Sequence, residues 1–410
     1  MGLAYLDNTV APPNVHTYSF RLRHSADTVY RTVYFRKAWR NLAKDTVVET
    51  ALSSVPVAFA LVGDVPATAF LSGRSTVKIS THDTTWSVLG SFNATDSVKA
   101  VKLAYDGTDL YVGALTTTGN FIIKKSTGGT STSLSNVTTI SGVSVAELTS
   151  NGSCKPVVAY INSSDSKGYV AYLNNGSWTS KKVFDRVIQE LAVKTTSDGK
   201  VILVCVSKQT ESNGATTYYG YVAMLKDDYS TAKASTKISD EDIGTISLAV
   251  DGNTLYMAYM NRNTNDYGAN FRKATIEGNS INWQSPIQIF EAYISFHMSI
   301  VAKNGVVYIA SADNSRPNLS QVHVFRYEDN QWHYHGENQL PYFGKVFYDK
   351  NGYYLRGYAP ELTVDNGGKL YLSMLGRTGG TAANTKYNGP IIMKYVADNW
   401  TVTPANCGEE

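Results

Sequence analysis

One turn recurs along this chain about every 50 residues, and it limits the fold more than any other feature. It is written Gly63-Asp64, Asp106-Gly107, Asn151-Gly152, Asp198-Gly199, Asp251-Gly252, Asn304-Gly305 and Asn366-Gly367. Pairs of this kind accept positive φ and match the twist of antiparallel strands, so each predicts a tight hairpin. The flanks repeat as well: Leu103-Ala-Tyr-Asp-Gly-Thr-Asp-Leu-Tyr-Val112, Leu248-Ala-Val-Asp-Gly-Asn-Thr-Leu-Tyr-Met257 and Leu362-Thr-Val-Asp-Asn-Gly-Gly-Lys-Leu-Tyr-Leu372 are versions of one pattern.

Tryptophan marks the same period. Trp39, Trp86, Trp178, Trp283, Trp332 and Trp400 each open a short strand after a polar turn, as in Asn-Gly-Ser-Trp178 and Asp-Asn-Gln-Trp332. Ser131 and Tyr229 stand near the slots where no Trp occurs. Between hairpin and Trp lies a third strand, such as Asn120-Phe-Ile-Ile-Lys-Lys125, so a unit reads as strands A, B, C and D. A sheet whose A and B strands are apolar on both faces cannot cover itself. Packing such sheets face to face around an axis does, with the indoles filling the widening rim between them. The expectation is an all-β, single β-propeller of four-stranded antiparallel blades. The Trp slots predict eight, divided near residues 46, 93, 136, 184, 236, 288 and 337, the last ending at 404 before a tail at 405–410. Seven blades plus an N-terminal strand pair is the alternative, because the first unit has Pro12-Pro13 where the turn should be.

The composition narrows function by exclusion. Lys plus Arg number 37 against 34 Asp plus Glu, for a net charge of +3, and no basic block occurs, so nucleic acid is not an expected partner. No apolar run is long enough for a membrane span, and the start lacks a signal-peptide pattern. Cys154, Cys205 and Cys407 lack metal spacing; they read as buried free thiols, with a Cys154–Cys205 bridge as the alternative. No metal or other cofactor is expected. Asn93, Asn136, Asn162 and Asn318 fit the Asn-x-Ser/Thr pattern, as Asn/Ser/Thr-rich turns do.

The repeat, with an apolar-Ala-x-Asp-Gly turn, a Tyr-bearing second strand and a Gly-x-x-Trp fourth strand, resembles the propeller repeats of secreted or lipid-anchored Bacteroidetes proteins, loosely related to kelch and sialidase-type propellers. The resemblance implies a bacterial, extracellular or cell-surface protein. It does not extend to sialidase activity: His82-Asp83-Thr84-Thr85-Trp86 lacks the glycine of a sialidase Asp-box, and Ser315-Arg316-Pro317 is not the Phe-Arg-Ile-Pro motif.

Function on such a frame is carried by loops. B–C loops and D–A connections emerge on one face, and the B–C loops lengthen from the fifth unit onward: Gln209–Tyr218, Asn261–Tyr267, Asp313–Asn318 and Arg377–Asn388. The connection His333–Arg356, rich in aromatics, joins them. Rings beside amides and guanidinium groups suit a sugar. The expected ligand-binding set is Tyr218, Arg262, Asp266, Tyr267, Asn314, Arg316, His335, Tyr342, Arg356, Arg377 and Tyr387. The function expected is noncatalytic recognition of a glycan or surface protein through units five to eight, by a monomer or a member of a surface complex. A glycoside hydrolase or lyase is the alternative; it needs two convergent carboxylates or an acid with a His or Tyr, for which Asp266, Asp313, Glu337, Glu361, His297 and Tyr358 are the candidates. A scaffold module of a surface assembly is the third reading. His297 alternates with apolar neighbours and reads equally as a core histidine, while His333 and His335 lack a third metal ligand.

Overall fold

The structure is a computed structural model, and it describes residues 6–7, 16–24, 27–35, 37–41, 57–83, 86–151, 155–238, 240–262, 268–290, 294–313, 321–334, 356–378, 386–397 and 401–403. In blade 1, β5 (Ala58–Val62), β6 (Val65–Leu71), β7 (Thr76–His82) and β8 (Trp86–Asn93) pair in order. Blade 2 contains β9 (Val98–Tyr105), β10 (Leu110–Thr116), β11 (Phe121–Ser126) and β12 (Leu134–Ile140). Blade 3 contains β13 (Val143–Asn151), β14 (Lys155–Asn162), β15 (Gly168–Asn174) and β16 (Ser177–Phe184). Blade 4 contains β17 (Ile188–Thr195), β18 (Val201–Thr210), β19 (Thr216–Leu225) and β20 (Thr231–Lys237). In blade 5, β21 (Ile243–Asp251), β22 (Thr254–Asn261), β23 (Ala269–Glu277) and β24 (Ser280–Trp283) are joined by β25 (Ile287–Phe290), which also pairs with β23. Blade 6 contains β26 (Ile294–Lys303), β27 (Val306–Asp313), β28 (Gln321–Glu328) and β29 (Gln331–Tyr334).

The seventh blade closes the ring with both ends of the chain. Its strands β30 (Arg356–Val364), β31 (Leu370–Thr378) and β32 (Lys386–Ala397) take as their fourth partner β4 (Lys37–Asn41), with Tyr395 opposite Trp39. A separate sheet joins β1 (Leu6–Asp7), β2 (His16–His24), β3 (Asp27–Phe35) and β33 (Thr401–Thr403). Inner strand β30 lies against β5, so blade 7 meets blade 1 directly.

The ring therefore has seven blades, not the eight predicted from tryptophan. Two Trp-led segments compete for one place: the Trp39 strand completes blade 7, while the strand after Trp400 pairs with β3 instead. The hairpin count was the better guide, since all seven recurrent turns join an A strand to a B strand. Asn304 and Gly305, both at positive φ, form the whole connection between Lys303 and Val306, as the sequence predicts. In the last hairpin the left-handed residue is Gly368 rather than Gly367.

Burial follows from the layering. B strands are covered on both faces where they run between neighbouring blades: all seven residues of β10, Leu110 to Thr116, are buried. D strands meet water and alternate, as in β16. Each interface between neighbouring blades, including that between 7 and 1, has its own buried cluster. At about 1.5–3 kcal/mol per buried aliphatic side chain, these seven cores hold the ring together.

The described indoles occupy one environment. Trp86, Trp178, Trp283 and Trp332 each pack into the core shared with the preceding blade. In blade 4 the slot is filled by Tyr229, buried and stacked on Tyr172 of blade 3 at 3.8 Å between ring centroids. Cys205, in the core between blades 3 and 4, is a buried free thiol, so the proposed bridge to Cys154 is absent. No helix among the described residues is long and apolar enough to cross a membrane.

Candidate functional site

An inner strand leaves one edge unpaired toward the axis, and its N–H groups need acceptors. The chain supplies them from the preceding blade. Six inner strands carry a polar residue just before a branched aliphatic: Lys102-Leu103, Glu147-Leu148, Glu190-Leu191, Ser247-Leu248, Ser299-Ile300 and Glu361-Leu362. The aliphatic packs toward the preceding blade, so the polar neighbour turns toward the next. Ser247 Oγ accepts from the Ile300 N–H at 3.2 Å, and Ser299 Oγ from the Leu362 N–H at 2.9 Å. Glu190 Oε1 accepts from Ile246 and Glu361 Oε2 from Phe59, each at 3.0 Å, and the latter bond spans the closing interface. Between blades 2 and 3 the link is a salt bridge, Lys102 Nζ to Glu147 Oε1 at 2.6 Å.

These groups make the channel strongly charged. Lys102 interacts with groups on blades 3, 4, 6 and 7, as a side chain reaching to the axis must. Burial alone would lower its pKa, but Glu147, then Glu361 and Glu190, outweigh it and hold the ammonium above its ordinary value. The pair is not dry, with side chains 31% and 30% exposed, so its contribution to stability is a solvent-weakened one. Burial pushes the Glu190 carboxyl up to about 7, against the Ile246 N–H and the Arg262 and Lys102 charges. Burial likewise pushes Glu361 to about 7, against Lys102, Lys194 and the Phe59 N–H. Lys194 is lowered by the protein around it although its surface stays open to solvent. His297 is lowered by burial and then by the Lys102 charge.

At the top of blades 4 and 5 the channel meets a ledge. Asp242, in the connection between β20 and β21, organises it: its carbonyl accepts from the Arg262 N–H at 2.8 Å and its Oδ1 from the Tyr218 N–H at 3.0 Å. The Arg262 guanidinium lies over the Tyr218 ring, with Cζ 4.2 Å from the centroid. Its floor is Gly244: a Cβ there would stand 3.0 Å from Arg262 Nε and 2.5 Å from Met260 Cε. Arg262 Nε is buried without a hydrogen-bond partner among the described residues. Two further cations cover successive tyrosines of β19, Lys237 over Tyr219 and Arg186 over Tyr221, each at 3.5 Å.

Of the residues predicted from sequence, Tyr218 and Arg262 are brought into contact, and Glu361 and His297 both lie within reach of the Lys102 charge. Glu361 is occupied by the Phe59 N–H. Arg356, Arg377 and Tyr387 fall in one backbone row across β30, β31 and β32, Arg356 opposite Arg377 and Arg377 opposite Tyr387. Tyr358 lies on β30 and Asp313 ends β27. Asp266, Tyr267, Asn314, Arg316, His335, Glu337 and Tyr342 lie outside the described residues. Half of the predicted loop Gln209–Tyr218 is strand: β18 and β19 continue to Thr210 opposite Thr216, which leaves Glu211–Ala215 as the tip of a projecting hairpin. Among the described residues no cluster of His, Cys, Asp or Glu could hold a metal ion.

No protein-family model and no curated protein matches this chain. Solved structures similar to it include the SapL1 lectin in complex with alpha methyl fucoside, at 9% identity, TM-score 0.45, 69% of this chain and 96% of that one. Polysaccharide lyase Uly1 aligns at 10% identity, TM-score 0.48, over 92% and 94%. The WD40 domain of SCAP from fission yeast aligns at 8% identity, TM-score 0.47, over 93% and 90%. Likeness at this level says nothing about ligand or chemistry, and the blade count rests on the strand pairing.

Proposed function

We propose that this chain is a noncatalytic binding propeller, exported to the cell surface, that takes a glycan on the face carrying the B–C loops. Units five to eight of the sequence reading correspond to blades 4 to 7, and the ledge opens this arc. The observation that carries the reading is the Arg262 guanidinium placed over the Tyr218 ring with both backbones tied to Asp242. A planar donor set on an aromatic support is pre-organised for the paired oxygens of a sugar. The chemistry of the axis supports binding over turnover, since Glu147, Glu190 and Glu361 are all engaged by Lys102 or by backbone N–H groups.

A glycan array tests this with wild type, Arg262→Ala and Tyr218→Ala. Wild type should bind a defined glycan set, and each variant should lose about tenfold or more in affinity. Silence of the folded wild type across the array, or binding unchanged in both variants, overturns the proposal. One observation favours a lyase or hydrolase as the second reading: Glu190 and Glu361, in one channel, both stand at about 7, within range for proton transfer. That reading requires bond cleavage in bound oligosaccharide that Glu190→Gln abolishes. A scaffold role is less supported, because Val88, Val187 and Ile287, the large exposed apolar residues among those described, are scattered over different blades.

A further inference from the structure

We infer that the sugar met by the Tyr218–Arg262 ledge is acidic, with a carboxylate or sulfate group seated against the Arg262 guanidinium. The inference rests on the glycan-binding reading above and deepens it. Arg262 is half-buried, and its charge is permanent. Among the described residues it forms no salt bridge, whereas Lys237 on the same face is paired with Asp240 at 2.6 Å. A cation held partly out of water with no carboxylate in salt-bridge contact among the described residues is costly, and a ring beneath it offsets only part of that cost. The site is built to hold the group in place, not to let it swing into solvent. Tyr218 supports one face, Gly244 lets the side chain lie close to β21, and Asp242 ties the backbones of both residues through its carbonyl and Oδ1. Neutral hydroxyls would satisfy donors and leave the charge unmatched. An oxyanion does both.

The neighbouring carboxyl makes the inference testable by pH. Glu190 feels the Arg262 charge, and it also faces Glu147 on β13, Lys102 on β9 and the Ile246 N–H on β21. With its carboxyl at about 7, it is protonated at low pH and anionic above. An anionic ligand at Arg262 competes with the ionised form, so its affinity falls as pH rises through 7; a neutral sugar has no such dependence.

Calorimetric titrations of the whole chain at pH 5.5 and 8.5 with a galacturonate tetramer, a carrageenan tetrasaccharide and cellotetraose separate the cases. The expected result is an acidic oligosaccharide bound about tenfold or more tighter than the neutral one, with galacturonate or carrageenan preference identifying carboxylate or sulfate. The preference should vanish in Arg262→Ala and shrink in Arg262→Lys, which keeps the charge but not the planar fork. Affinity for the acidic ligand should drop about threefold or more between the two pH values and stay level in Glu190→Gln, whose amide oxygen can still accept from Ile246. Equal affinity for acidic and neutral ligands overturns the acidic inference and leaves the glycan reading standing. Acidic preference that survives in folded Arg262→Ala overturns the assignment to this residue. Binding of none of them, with a silent array, removes both.

Discussion

Tyr229 does the work of tryptophan in blade 4, and its neighbourhood shows why the exchange succeeds. The ring stacks on Tyr172 from the turn before β20, at a positive φ of 61°, and it joins the core between blades 3 and 4. Tyr229→Ala should destabilise the protein by about 3 kcal/mol, while Tyr229→Trp should stay within about 1 kcal/mol of wild type, as read by urea unfolding. Equal stability of wild type and the alanine variant would refute the wedge role. This residue was legible in the sequence because a period points to a slot even when the slot holds another residue. The channel charges were not. Lys102 and Glu147 each sit between apolar neighbours in a strand and Glu190 follows Gln189, patterns that read as ordinary alternation or a solvated stretch until strands from different blades are superposed. Superposed, the polar residue before Leu103, Leu148, Leu191 and Leu362 would have shown the belt. Arg262 could be named from its loop, but Gly244 beneath it could not, since only a close approach from another strand gives that glycine its meaning. Gly244→Ala should accordingly displace Arg262 and weaken ligand binding about tenfold, with little change in the far-ultraviolet circular dichroism.

Among the elements, hairpins were easier to read than boundaries. Every Asp-Gly-type turn joined the strands expected of it, because the turn residues act locally. Where the two halves of a sheet are distant in sequence, local signals fail: nothing near Trp39 announces that its strand will lie beside Tyr395. The projecting β18–β19 hairpin was hidden for a related reason, since Thr216 to Tyr219 combine turn-like polarity with β-favouring Thr and Tyr, and cross-strand pairing decided the outcome. A chain lacking residues 1–41 would leave β32 as an open edge. It should lose several degrees in Tm and elute partly as aggregate in size-exclusion chromatography, and a monodisperse product of unchanged Tm would show that β4 contributes nothing to closure.

For the molecule as a whole, the axis couples stability to pH. Glu190 and Glu361 have folded-state values of about 7, raised from 4.5, so the native state holds protons more tightly than the unfolded chain across that interval. Stability should therefore fall as pH rises from about 4.5 to about 7 and then level off. His297, lowered from 6.5, acts oppositely and takes stability away as pH falls below that value. The Glu190→Gln/Glu361→Gln double variant should flatten the fall and be more stable than wild type at neutral pH, as measured by chemical denaturation across the series. A wild-type profile that rises from pH 5 to 7 would contradict the burial of these carboxyls.

The pairing of β4 with β32 also sets a timetable for synthesis. The strand that seals the circle leaves the ribosome before the six blades that follow it, and its partner after them, so six complete blades can assemble while the seventh waits. During that wait an early strand has no legitimate neighbour, and a second nascent copy offers the same complementary edge. Joining the two ends of the gene and opening it between blades 3 and 4 would let that sheet form from contiguous sequence, and folding of such a permuted chain should be faster and less dependent on protein concentration.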